Sequence, residues 1–254
     1  MLLSLLQLPD ACRVEHKIPK KNIAEHARHS SSAARLLQQA VESIHLLGHI
    51  TPNNSNIAAH QDAELEYLEL MLISVRLKEP LPAAGQLKQL HQLLHQSIAY
   101  PLLLELRNER GAQWSLAEKT INQASPEHEQ LVVQELVVTD WQSEQPNELQ
   151  KEFQHSLRFD QLDHASLKTL YLSLLGCFVR YLTAHSLQQT TLADAAARYD
   201  QDLEQQHAKL RKIQQLQQHI KTLQTQRDSC SQFNEKVAIN LELQRLTREL
   251  KELS

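Results

Sequence analysis

The stretch AYPLLLELRNERGAQWSLAEKTIN, residues 99–122, decides the fold. PLLLELRN (101–108) and AQWSLAEKTIN (112–122) are two strand-like runs, and Glu109-Arg110-Gly111 joins them as a hairpin, because glycine relieves the positive backbone angle such turns need. A third run, EQLVVQELVVTDW (129–141), reads as another strand. Upstream, Glu64 to Lys78 puts Tyr67, Met71, Ile73, Val75 and Leu77 on one parity and Leu68, Leu70 and Leu72 on the other, a strand covered on both faces. Pro80 and Pro82 close it, and Leu87, Leu90, Leu93, Leu94 and Ile98 then line one face of a helix. Strand, helix, hairpin, strand predicts an α+β protein: a small, mainly antiparallel sheet with helices on one face.

Outward from this centre, residues 1–7 read as a short apolar helix or strand, and 8–21 as an extended basic segment held open by Pro9 and Pro19. Ile23, Leu36, Leu37, Val41 and Ile44 recur near the helical period and predict a helix from Asn22 to about Leu47. Residues 51–63 are turn-rich, 142–160 are polar with a short helix around Glu148 to Phe153, and an amphipathic helix runs from about Asp163 to Leu182.

From Leu192 to Ser254 there is neither glycine nor proline, and Leu, Gln, Glu, Lys and Arg dominate, which predicts a helical arm (192–254) behind a body (1–191). Ile213, Leu216, Ile220 and Leu223 keep three-four spacing, as do Ile239, Leu243, Leu246, Leu250 and Leu253, two short coiled-coil seams. Between them Arg227, Cys230 and Asn234 would fall at seam positions, so the arm either bends near Asp228 to Ser231 into a hairpin or continues with a polar middle. One seam can pack on the other or on the body, or it can be offered to another chain, including a second copy of this one.

The 254 residues suffice for one or two domains, with 41% apolar residues for a core. The four glycines at 48, 85, 111 and 176 are too scattered for a phosphate-cradling loop or a dinucleotide fingerprint, which argues against nucleotide-hydrolysing and nicotinamide chemistry. No cofactor is expected. The net charge of −4 hides a division: residues 1–36 carry +3, 37–200 carry −9 and 201–254 carry +2. That layout is unlike the dense basic patch of a general nucleic-acid binder. Cys12, Cys177 and Cys230 lie far apart, an odd unspaced set that suits a reducing compartment. MLLSLLQLPD reaches Pro9-Asp10 before an export-length apolar region develops, and no run approaches a membrane span, so a cytoplasmic protein is expected.

Few residues carry recognisable chemistry. His91 and His95 sit four apart on a helix, and His26 and His29 form a similar pair, but neither pair has nearby ligands to complete a metal site. Glu105, Glu118-Lys119 and Glu64 or Glu66 fit a magnesium nuclease poorly, since Glu118 and Lys119 are adjacent where the pattern needs an intervening residue. No Gly-x-Ser-x-Gly elbow exists. Lys17-Ile18-Pro19-Lys20-Lys21 sets three amines around a rigid step, able to clamp phosphates or an acidic partner, or to dock on the protein's own acidic body.

Three segments together, LPDACRVEHKIPKKNIAEHA (8–27), AYPLLLELRNERGAQWSLAEK (99–119) and QFNEKVAINLELQRLTRELKEL (232–253), resemble the bacterial family called domain of unknown function 4391. The specific parts are Lys17 to Lys21 with Pro19, the Tyr100-Pro101 step, and Phe233-Asn234 opening the last helix. The resemblance implies a gene setting beside helicases and DNA methyltransferases in restriction-like, antiphage defence clusters. It therefore implies an accessory subunit that binds a helicase, nuclease or methyltransferase partner, with DNA contacted through the complex. It supplies no catalytic residues. The alternatives left open are a metal-dependent nuclease subunit acting through Glu105 and a direct nucleic-acid binder using Lys17, Lys20 and Lys21.

Overall fold

The computed structural model describes residues 2–26, 31–61, 66–122, 130–192, 203–230 and 232–253. His29 and Glu64, named above as candidate ligands, lie outside the described residues. The helices are α1 (Leu2–Leu6), α2 (Lys20–His26), α3 (Ser31–Ala40), α4 (Pro52–Ser55), α5 (Ala84–Ser97), α6 (Glu148–Ser156), α7 (Leu167–Ser186), α8 (Leu203–Ser229) and α9 (Phe233–Glu252). The strands are β1 (Arg13–Lys17), β2 (Val41–Ile50), β3 (His60–Gln61), β4 (Glu66–Tyr67), β5 (Leu70–Leu77), β6 (Leu102–Arg107), β7 (Ala112–Asn122) and β8 (Gln130–Val138). One six-stranded sheet runs β1-β2-β5-β6-β7-β8, and β3 pairs with β4 apart from it. The pairing β5–β6 is parallel, crossing over through α5, and the rest of the sheet is antiparallel, so the fold is α+β with a mixed sheet.

The chain forms two compact units, Met1–Phe178 and Val179–Ser254, the division falling within α7. In the first, helices cover both faces of the sheet, where one covered face was expected. Leu102, Leu104 and Leu106 of β6 and Ile73, Val75 and Leu77 of β5 join α5, Ile23 of α2 and Leu37 of α3 in one core. On the opposite face Leu72 and Leu103 surround a small apolar void with Leu6 of α1 and Leu170 and Leu174 of α7, while Phe153 of α6 lies 5.9 Å from the Trp114 ring. The leucines of β6 on both parities, Leu102, Leu104 and Leu106 on one and Leu103 on the other, are the sign of a strand sandwiched in this way.

The hairpin β6–β7 turns at Asn108 to Gly111 as expected, and Gly111 has φ +153°, with the Gln142 carbonyl where a Cβ would stand. The helix expected over Asn22–Leu47 is corrected to α2, α3 and the strand β2. The strand wins because both of its edges are paired, to β1 and to β5. Its misleading spacing has a local cause. A bulge between Val41 and Ser43 turns Val41 and Ile44, three residues apart, toward the same core, a spacing that imitates a helix. The extended reading of 8–21 holds for β1 but not for Asp10–Cys12, a single 3-10 turn, nor for Lys20 and Lys21, which open α2 directly after Pro19.

In the second unit α8 and α9 form an antiparallel helical hairpin, closed by an ion pair from Lys212 to Glu249 at 3.0 Å. Leu210, Ile213, Leu216, Leu243 and Leu246 are buried, whereas Ile220, Leu223, Ile239, Leu250 and Leu253 are half-buried. The Gln217 side chain donates to the Ser186 carbonyl at the end of α7 at 2.6 Å. Among the described residues no helix is long and apolar enough to cross a membrane.

Candidate functional site

The polar groups that carry chemistry gather along the two faces of β6 and β7. On the α5 face, Ser115 lies between two histidines, 2.8 Å from Nδ1 of His91 and 2.9 Å from Nε2 of His95. The spacing of four on α5 aims both rings at one strand position. A hydroxyl donates only one hydrogen, so one ring nitrogen accepts from Ser115 and the other donates to it. Burial pushes His91 down to about 4 and His95 well below its ordinary value, with Lys119 and His91 adding to the effect at His95. Both rings are therefore neutral at neutral pH. All three residues have no exposed surface, and this serine braces α5 against β7.

Lys119, on the same face, donates to the carbonyls of Ile98 and Tyr100, both at 2.7 Å. It thus caps the exit of α5 and the approach to β6, and burial lowers its ammonium to about 7. The next residue, Pro101, accepts the Met71 amide through its carbonyl and so sets the parallel register of β5 on β6. Outside, Tyr100 is exposed and its phenol donates to Glu69, which raises its pKa. Glu69 is also held by Nε2 of His49. The Tyr-Pro step singled out in the sequence is thus the joint between a buried cation and a surface Tyr-Glu-His trio.

Glu105 occupies the other face. It is fully buried, accepting from the Ser74 hydroxyl at 2.6 Å and from the Leu2 amide at 3.0 Å. Glu105 and Lys119 therefore stand on opposite sides of the sheet, so these two of the residues named for a nuclease are not brought together. Tyr171 of α7 reaches the same side with its hydroxyl between Ala117 and Leu102, and burial raises its pKa far above the ordinary phenol value. Among the described residues no three of His, Cys, Asp and Glu form a group that could hold a metal ion.

The basic step divides its roles. Lys78 donates to the Gln38 carbonyl at 2.7 Å at the C-terminal end of α3, and Lys20 to the Val41 carbonyl at 2.8 Å where β2 begins. Desolvation, then Lys78 and Lys17, lowers the Lys20 pKa. Lys17 and Lys21 are exposed. Phe233 is the first residue of α9 and Asn234, next to it, is exposed. The sequence offered no sign of Tyr171, Glu69 or His49 as members of polar clusters. Ser115 could have been found from the two histidines, since a small polar residue interrupting an apolar strand opposite them needs a partner.

Fold and site together define a mixed α+β body carrying a helical hairpin, a protein whose polar interior holds strands and helices in register. The chain belongs to the family described as Domain of unknown function (DUF4391), whose model matches residues 6–250. No curated protein and no solved structure matches it.

Proposed function

We propose that the protein is a non-enzymatic accessory subunit of a bacterial antiphage, restriction-like defence complex, working in the cytoplasm and holding a helicase, nuclease or methyltransferase through its helical arm. The observation that carries this reading is the arm: α8 and α9 lie in a compact unit that starts at Val179 within α7, and α9 keeps Val237 and Leu241 exposed four residues apart on one face. Large apolar residues held together in water are what a protein partner covers. The gene setting implied by the family supports the identity of that partner. As a further part of the proposal, α8 and α9 act as a two-stranded coiled coil and DNA is met through the complex.

The test is capture of co-expressed products of neighbouring genes by the full chain, by a chain ending at Thr191, and by the full chain carrying Val237→Glu and Leu241→Glu. Loss of capture in both altered proteins is expected. Equal capture by all three overturns the role given to the arm.

A further inference from the structure

Along the helical hairpin runs a groove of about 600 Å³, bordered by Gln224, Arg227, Asn240, Gln244, Arg248 and Lys251. Its charges are all of one sign. On α9 two carboxylates are held by other cations: Glu242 holds Arg245 at 2.6 Å, and Glu249 holds Lys212 at 3.0 Å and Arg245 at 3.9 Å. Arg227 is paired with Asp228 at 2.9 Å. Arg248 and Lys251 are left, among the described residues, with no carboxylate paired to either. Two cations three residues apart on a helix face the same way. Asn240 and Gln244 continue their stripe toward the hairpin tip.

We propose that this groove binds an extended acidic peptide segment of a partner protein. A helical partner would live on apolar anchors, and the lining offers one, Leu243. A single-stranded nucleic acid wants aromatic platforms under its bases, and no aromatic side chain lines the groove. The amides of Gln224, Asn240 and Gln244 carry both donors and acceptors, which answer the N–H and C=O groups of a peptide, while phosphates answer the donors alone. The guanidinium of Arg248 and the ammonium of Lys251 take the carboxylates. At about 1.5 Å per helical residue the stripe from Asn240 to Lys251 is about 16 Å long, matching about five residues of extended chain. The proposal rests on the adaptor reading and names the chemistry of the segment the arm would hold.

The experiment is fluorescence anisotropy with the full-length protein and three labelled probes: a ten-residue peptide alternating Glu and Ser, its Lys-Ser counterpart, and a ten-nucleotide single-stranded DNA. The Glu-Ser peptide is expected to bind saturably, to weaken as salt rises, and to lose at least about tenfold in affinity on combined Arg248→Glu and Lys251→Glu substitution, with helix content by circular dichroism unchanged. Absence of saturable Glu-Ser binding, indifference to the double substitution, or tighter binding of the DNA overturns the proposal. The same double variant separates this inference from the adaptor reading. Capture of operon partners that needs the arm but survives the two substitutions overturns the groove and leaves the adaptor standing, whereas capture that ignores the whole arm overturns the adaptor.

Discussion

The hydroxyl of Tyr171 stands in for a backbone group of Ala117's neighbour strand: it accepts the Ala117 amide at 3.0 Å and lies 2.9 Å from the Ala117 carbonyl. The ladder between β6 and β7 runs from Arg107–Ala112 to Leu104–Ser115 and stops there. Continued in register it would next bond Leu102 to Ala117, and Tyr171 enters between those two, 3.4 Å from the Leu102 carbonyl. A helix side chain thereby satisfies groups that strand separation would leave dry.

Tyr171→Phe keeps the ring and removes this bond. We expect a loss of about 1–3 kcal/mol in urea unfolding with an unchanged denaturant slope, the usual cost of a buried group left without its partner. A loss below about 0.5 kcal/mol would mean that the strands close the gap themselves.

Gly111→Ala puts a methyl group onto the Gln142 carbonyl at a positive φ. The hairpin must shift, and a fall in stability of about 1–3 kcal/mol is expected, read as a lowered melting temperature. Gly85→Ala is the control, since no atom lies within 4 Å of its added Cβ, and it should leave stability unchanged or raise it.

Lys119 has a folded pKa of about 7 against an ordinary value of 10.5. Between those limits the unfolded chain holds a proton that the folded chain has released, so stability rises with pH from about 7 toward 10. The unfolding free energy of the wild type in urea should climb between pH 7 and pH 9, by up to about 2 kcal/mol. Lys119→Met should flatten the climb. An identical slope in both proteins would assign the titration to another group.

His91 and His95 act over a lower window. Both are held below their ordinary 6.5, His91 at about 4, so on acidification the unfolded chain takes up protons first and stability falls as pH drops from about 6.5 toward 4. Substituting both with Gln should lower stability at pH 7 and reduce the loss between pH 7 and pH 5. An acid slope left untouched by the substitutions would place its source among the carboxylates.

Leu246 is 2% exposed and Leu241 63% exposed on the same helix. Leu246→Ala should cost about 2–3 kcal/mol and reduce helicity of the arm, while Leu241→Ala should cost less than about 0.5 kcal/mol. Partner capture should respond in the opposite order, with the Leu241 variant the weaker binder.

The sheet was legible where local pattern and tertiary role agree. Leu102, Leu103, Leu104 and Leu106 put apolar side chains on both parities because both faces are covered, and Gly111 marks its turn because L side chains rarely adopt its angle. Val41 and Ile44 misled because a bulge reproduces helical spacing, and only the pairing with β1 and β5 reveals it. The polar interior was less legible. His91 and His95 were visible as a pair, yet their partner is a serine on a strand 20 to 24 residues away, and Tyr171 reaches a backbone 54 residues distant. Such partners meet through topology, which spacing along a chain does not encode.

The bond from the Leu2 amide to Glu105 spans 103 residues. During translation, therefore, α1 leaves the ribosome long before the strand that receives it has been made. It must wait through the synthesis of β1, β2, β5 and α5 for the Glu105 carboxylate, and longer still for α7, whose Leu170 and Leu174 complete the apolar surroundings of Leu6. The opening helix is thus a latch made early and closed late, and any factor that shields nascent chains has that interval in which to act.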